Sequence, residues 1–203
     1  MKGLAVYMEG GGQTAESKAA IRQGMGEFLG MLRESARRKR WHWKVVPCGS
    51  GVQARVDFLN ARNQEPDTHA ILLVDAEVVV TSSPKQHLAT RENGWHLPDV
   101  PEPGIHLMAQ VMETWIVSDR EALQAFYGQG FNTGALPKHA DLEQVNKAQV
   151  AESLENATQN TQKGRYHKIR HGSRLLERIR PDAVRARCAH CERFLSAVGT
   201  LVT

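Results

Sequence analysis

Apolar residues fall into short continuous runs over the first part of the chain and into helical stripes over the last. Residues 3–8 are an apolar run closed by Glu9-Gly10-Gly11-Gly12, the pattern of a buried strand followed by a tight turn. Over residues 15–39, Ile21, Met25, Phe28, Leu29 and Leu32 repeat at three- and four-residue spacing, which predicts a helix with Thr14 as its N-cap and Ser17 nearby. Gly24, Gly26 and Gly30 weaken that helix and imply close packing against the sheet. Residues 43–47 predict a second strand, and Val52, Val56 and Leu59 mark a shorter helix after it. Residues 69–74 are continuously apolar from Ala70 to Val74, as buried parallel strands are, and end in Asp75-Ala76-Glu77.

Strand, helix, strand, helix, strand is the order of a parallel α/β sheet with right-handed crossovers. A polar, Pro-rich loop follows over residues 81–104. Residues 106–115 are expected to form a fourth strand, although their period is ambiguous with helix. Residues 119–127 predict a helix with Ser118 or Asp119 near its cap. Helices are expected over 147–157, 172–179 and 181–198, the last with Pro181 as its first residue. The expectation is one domain over residues 1–203: an α/β core to about residue 130 and a helical C-terminal part beyond it, with a mostly parallel central sheet flanked by helices.

Composition changes this picture little. The chain has 203 residues, 41% hydrophobic and 24% charged, enough to bury a core without staples. No apolar run is long enough to span a bilayer, and the apolar N-terminal stretch is too short for a secretory signal, so a cytoplasmic protein is expected. The formal net charge is only +4, but the basic residues are clustered. Arg37, Arg38, Lys39 and Arg40 form one run, and Lys163 to Arg187 holds another group, so an anionic partner such as nucleic acid fits, beside the plainer reading of a solvated basic surface.

The chemistry lies at the strand ends, where ligands bind in open α/β sheets. Glu9 follows the first strand, and Asp75 and Glu77 follow the third. Carboxylates on rigid neighbouring elements suit a hard cation such as Mg²⁺ or Mn²⁺, although a strand ending in Asp also serves as a turn or cap. Glu113 stands in an otherwise apolar segment, Val111 to Ile116. A carboxylate there either faces the acidic site as a further metal ligand, pairs with a base, or marks a strand end.

These pieces resemble the Toprim arrangement, which has a glutamate after its first strand and an acidic pair after a later one. More closely, the chain is similar to the bacterial domain-of-unknown-function family numbered 4276. The likeness rests on Met8-Glu9-Gly10-Gly11-Gly12, on Leu72 to Glu77, on His106 to Trp115, on Ser118 to Leu123, on Tyr127 to Phe131, and on Lys163, Gly164, Tyr166, Lys168 and His171. It implies a Toprim-like fold and a role in bacterial anti-phage defence, sometimes beside an ATPase. On that basis the expected activity is Mg²⁺- or Mn²⁺-dependent hydrolysis of DNA or RNA. Glu9, Asp75 and Glu77 would be metal ligands, with Glu9 also a general acid or base; Glu113, by its place in the apolar segment rather than by the resemblance, is a further candidate ligand. Lys163, Lys168 and His171 would contact phosphate or carry protons. The expected partners are nucleic acid, an ATPase subunit encoded nearby and a second copy of the chain. Two departures from the acidic pattern, Glu77 for Asp and Val78 for a further acid, motivate an alternative: a non-catalytic subunit that binds the ATPase or nucleic acid.

Other features carry less. Gly10-Gly11-Gly12 lacks the Gly-Lys-Ser/Thr of a P-loop. Cys188-x-x-Cys191 lacks the second ligand pair of a zinc site. Trp41-His42-Trp43, beside the basic run, either stacks on bases or anchors a strand.

Overall fold

A computed structural model describes residues 2–91, 94–97 and 99–203. Strands β1 (Gly3–Met8), β2 (His42–Pro47), β3 (Thr68–Asp75) and β4 (Ile105–Met108) form an all-parallel sheet in the order β2-β1-β3-β4. Successive side chains of a strand point to opposite faces, and each face here has its own core. Leu4, Val6 and Met8 of β1 join Ile71 and Leu73 of β3 in one apolar cluster; Ala5 and Tyr7 join Ala70, Leu72 and Val74 in the other.

The second face is covered by α3 (Gly51–Gln64), through Ala54, Phe58 and Ala61, and by α4 (Pro84–Ala89), through Leu88. The first face carries the thicker layer. It holds α1 (Ala15–Phe28), α2 (Gly30–Arg38), α5 (Met112–Ser118), α6 (Arg120–Tyr127), α7 (Lys147–Thr158), α8 (Lys168–Leu176), α9 (Pro181–Arg185) and α10 (Ala189–Val202). The C-terminal helices therefore share a core with the sheet: Phe194 and Val198 of α10 belong to the same cluster as Leu4.

The expected fourth strand over residues 106–115 is corrected. Pairing stops at Met108, and the chain turns into α5. Every residue of α5 is buried, so no polar face marks a helical period, which is why the sequence was ambiguous there. The helix expected over 15–39 breaks at Leu29 into α1 and α2. Gly24 serves contact with α8 rather than with the sheet: a Cβ there would stand 2.4 Å from the Ser173 carbonyl oxygen. The helix expected over 181–198 is two helices, with Cys188 at the N-cap of the second. The loop over 81–104 contains α4, opened by a reciprocal Ser83/Gln86 capping box. Thr14 caps α1 by accepting from the Ser17 N–H at 3.1 Å.

Candidate metal centre

Parallel pairing puts the C-terminal ends of β1 and β3 side by side, with Met8 opposite Leu73. Glu9 continues β1 for one more bond, its N–H donating to the Leu73 carbonyl at 3.0 Å. Gly10 and Gly49 then exchange hydrogen bonds of 3.0 and 2.9 Å, which clip the turn after β1 to the end of β2. Gly10, Gly11 and Gly12 all have positive φ, so this turn needs glycine. Glu9 Oε2 accepts from the Asp75 N–H at 3.1 Å and takes a second backbone hydrogen bond from Gly51. That places the carboxylate on the first turn of α3, where a Cβ on residue 51 would come within 2.8 Å of it.

Asp75 ends β3. Its Oδ1 accepts from the Met112 N–H at 3.0 Å, an orphan donor in the first turn of α5. Ala76 and Glu77 donate their N–H groups to the Met108 and Gln110 carbonyls at 3.0 and 2.8 Å, which holds the chain after β3 against the β4–α5 link. Glu77 has a left-handed backbone, φ 70°, and its half-exposed carboxylate is ion-paired with Lys147 at the start of α7. One oxygen from each of Glu9, Asp75 and Glu77 lies within 4.8 Å of the others.

Burial pushes the Asp75 carboxyl well above its ordinary range; the charges of Glu9, Glu113 and Glu77 add to this, and Lys168 opposes it. Glu9 is raised as well, by burial, against the hydrogen bond from Asp75 and the charge of Arg91. Burial disfavours the Lys168 ammonium, but Glu113, Asp75 and Glu9 outweigh it and hold the group above the usual lysine range. This is a crowded set of anions with too few donors, a state that a bound cation relieves.

Glu113 has another task. Its Oε1 accepts from the Tyr166 hydroxyl at 3.1 Å and its Oε2 from Lys168 Nζ at 3.4 Å. It stands outside the three-carboxylate cluster and anchors Lys168 beside it. Of the expected basic residues, Lys168 is the one that reaches the carboxylates. Lys163 Nζ lies over the Phe126 ring, 5.3 Å from its centroid. His171 is buried, and its Nδ1 stands 3.0 Å from the Tyr127 hydroxyl and accepts from the His167 N–H at 3.2 Å. Burial and the charges of Arg170, His167 and Arg174 push its pKa down, which favours the neutral ring of a packing histidine.

Two clefts open onto the cluster. One of about 300 Å³ is lined by Glu9, the three glycines, Ser17 and Asp75; the other, of about 720 Å³, is lined by Asp75, Glu77, Glu113, Lys147 and Tyr166. Lys168 and Ile169 border both. Sequence reading overlooked Lys147, whose only signal was its place at the start of a predicted helix, and it passed over Arg91 and Trp95 in the loop 81–104. Trp41, by contrast, precedes β2 and so lies at the opposite end of the sheet, stacked on His69 with Lys39 over its ring. Cys188 and Cys191 are buried free thiols whose pKa values burial raises.

A family model described as "Domain of unknown function (DUF4276)" matches residues 8–199. No curated protein and no solved structure matches the chain.

Proposed function

Because the chain belongs to the DUF4276 family, whose function is unknown, its chemistry has to be argued from the site, and we propose that it is a divalent-metal-dependent nuclease that hydrolyses phosphodiester bonds in DNA or RNA. The observation that carries this reading is the cluster of Glu9, Asp75 and Glu77 oxygens within 4.8 Å, at the ends of adjacent parallel strands. A glutamate after the first strand and an acidic pair after a neighbouring one is similar to the Toprim arrangement.

The donors are all carboxylate oxygens, which suit Mg²⁺ or Mn²⁺. Burial, with the neighbouring carboxylates, raises Glu9 and Asp75, and a bound cation would offset that cost of holding them charged. The ion would neutralise a phosphate and activate water. In this reading Glu9, at the end of β1 beside the cluster, would bind the ion or act as general acid or base. Lys168, anchored by Glu113, would contact a phosphate oxygen. A place in the cytoplasm as effector of a bacterial anti-phage system, working with an ATPase subunit, completes the proposal on the strength of the family resemblance. Cleavage of DNA and RNA with Mg²⁺ or Mn²⁺, with Glu9→Ala and Asp75→Ala as controls, tests it; cleavage that survives both substitutions rules the site out.

A second reading draws on the lysines. Lys147 occupies Glu77, Lys168 leans on Glu113, and Val78 is exposed where a further acid would strengthen the site. In that version the chain is a non-catalytic subunit that binds an ATPase or nucleic acid. Calorimetry that finds no Mn²⁺ binding, together with a stable ATPase complex, would favour it.

A further inference from the structure

Beside the carboxylates stands a cationic arrangement that the metal reading leaves unused. Trp95 is buried, and the guanidinium carbons of Arg91 and Arg55 lie 4.9 and 5.5 Å from its ring. Arg55 comes from α3; Arg91 and Trp95 come from the segment after α4. Gly51 fixes their place relative to the acidic site. A Cβ on residue 51 would meet the Trp95 ring at 3.2 Å and Glu9 Oε2 at 2.8 Å, so ring and carboxylate flank the same helical turn. Arg91 is near enough for its charge to act on Glu9.

Arg55 Nε, Arg91 Nε and Arg91 Nη2 are shielded from solvent and have no hydrogen-bond partner among the described residues. Arginine keeps its charge when taken from water, and unmet donors on a charged group are costly. Stacking on an indole uses the face of the guanidinium and leaves its in-plane N–H groups free for an oxyanion. Two like charges on one ring also repel each other, and an anion bound beside them would lessen that repulsion. Trp95 is buried, so its role is to hold the arginines rather than to stack on a base.

We propose that Arg55 and Arg91, held on Trp95, form a binding site for a phosphate group next to the Glu9–Asp75–Glu77 cluster. Binding of the anion stands apart from the nuclease reading. Only the source of the phosphate, a backbone phosphate beside the one hydrolysed, rests on that reading.

The test uses the full chain in metal-free buffer. Inorganic phosphate is titrated while tryptophan emission is followed, and a labelled single-stranded oligothymidylate is titrated by anisotropy across a range of salt. Phosphate should change the emission, and Trp95→Phe should abolish that change. Arg55→Ala and Arg91→Ala should each weaken phosphate binding by about tenfold, the loss expected of one charge-assisted contact. Arg91→Lys, which keeps the charge without the fork, should fall between. For the oligonucleotide, each alanine variant should lower the salt slope by about 0.7. Phosphate binding that is unchanged in both alanine variants overturns the proposal. Arg55 is half-buried on the surface of α3, so Arg55→Ala decides alone if Arg91→Ala fails to fold. Phosphate binding lost with an unchanged oligonucleotide slope keeps the anion site and rejects the polynucleotide source. Asp75→Asn separates the two readings: it should abolish cleavage and leave phosphate binding intact.

Discussion

Asp75 and Asp119 are both buried aspartates, and their surroundings are opposite. Asp119 Oδ2 accepts from the Arg180 N–H at 2.9 Å and from its Nε at 2.8 Å; Oδ1 accepts from Arg180 Nη2 at 2.8 Å and from the Ala122 N–H at 3.1 Å. Burial works to raise this carboxyl, but the Arg180 hydrogen bonds and charge win and hold it below the usual range. Asp75 accepts from Met112, and burial, with Glu9, Glu113 and Glu77 crowded around it, holds it well above that range. One aspartate ties the start of α6 to the approach of α9. The other stores repulsion at a strand end. Burial raises both carboxyls, and what separates a structural acid from a candidate ligand is whether donors and an opposite charge offset it.

The largest expected effect is on catalysis. Asp75→Ala should reduce Mn²⁺-dependent cleavage by about a thousandfold, since several kcal/mol of charge stabilisation goes with the ion. Asp119→Ala should leave the specific activity of the folded protein unchanged; equal losses in both would break the contrast. Stability should divide the other way. In urea titrations, Asp119→Ala should cost about 2–3 kcal/mol, through the lost cap and charged hydrogen bonds. Asp75→Asn, which keeps the Met112 hydrogen bond and removes the charge, should stabilise the metal-free protein by about 1 kcal/mol.

The pH dependence has opposite signs at the two sites. The pKa of Asp119 is lowered by folding, so its contribution is present above the ordinary carboxyl range and is lost as pH falls through the lowered value. That of Asp75 is raised, so its contribution is present in acid and is lost as pH rises through the raised value. Melting curves should therefore flatten on the acid side in Asp119→Asn and on the alkaline side in Asp75→Asn; the same limb flattening in both would sink the assignment. The smallest effect belongs to Lys147. Its pair with Glu77 is about half exposed, so Lys147→Met should tighten Mn²⁺ binding by only about two- to fivefold in calorimetry. Weaker binding would mean that Lys147 positions Glu77 rather than competes for it.

Much of the fold was legible because the buried strands are continuously apolar and end in polar residues: residues 69–74 and the carboxylates after them could be placed without coordinates. The gap between strand and helix at residue 112 was not legible, because α5 is buried on every side and carries no amphipathic period. Nor was the division of labour among the basic residues. Lys163, Lys168 and His171 look alike as a cluster, yet they go to a phenylalanine face, a carboxylate and a tyrosine hydroxyl. Tertiary packing decides among such ends, and a local pattern does not contain it. Arg55, Arg91 and Trp95 are separated by up to forty positions in the chain and share no spacing that would join them.

The contact between Gly24 and the Ser173 carbonyl has a consequence for how freely the chain can vary. Position 24 lies on α1 and Ser173 on α8, the helix that begins with Lys168. Any side chain at 24 would wedge the two helices apart and lift that lysine from the carboxylates. The spacing of the charges is therefore calibrated by the thickness of one residue in a different helix. In a library of variants, tolerance at position 24 should follow tolerance at Lys168 more closely than tolerance at other buried positions of α1.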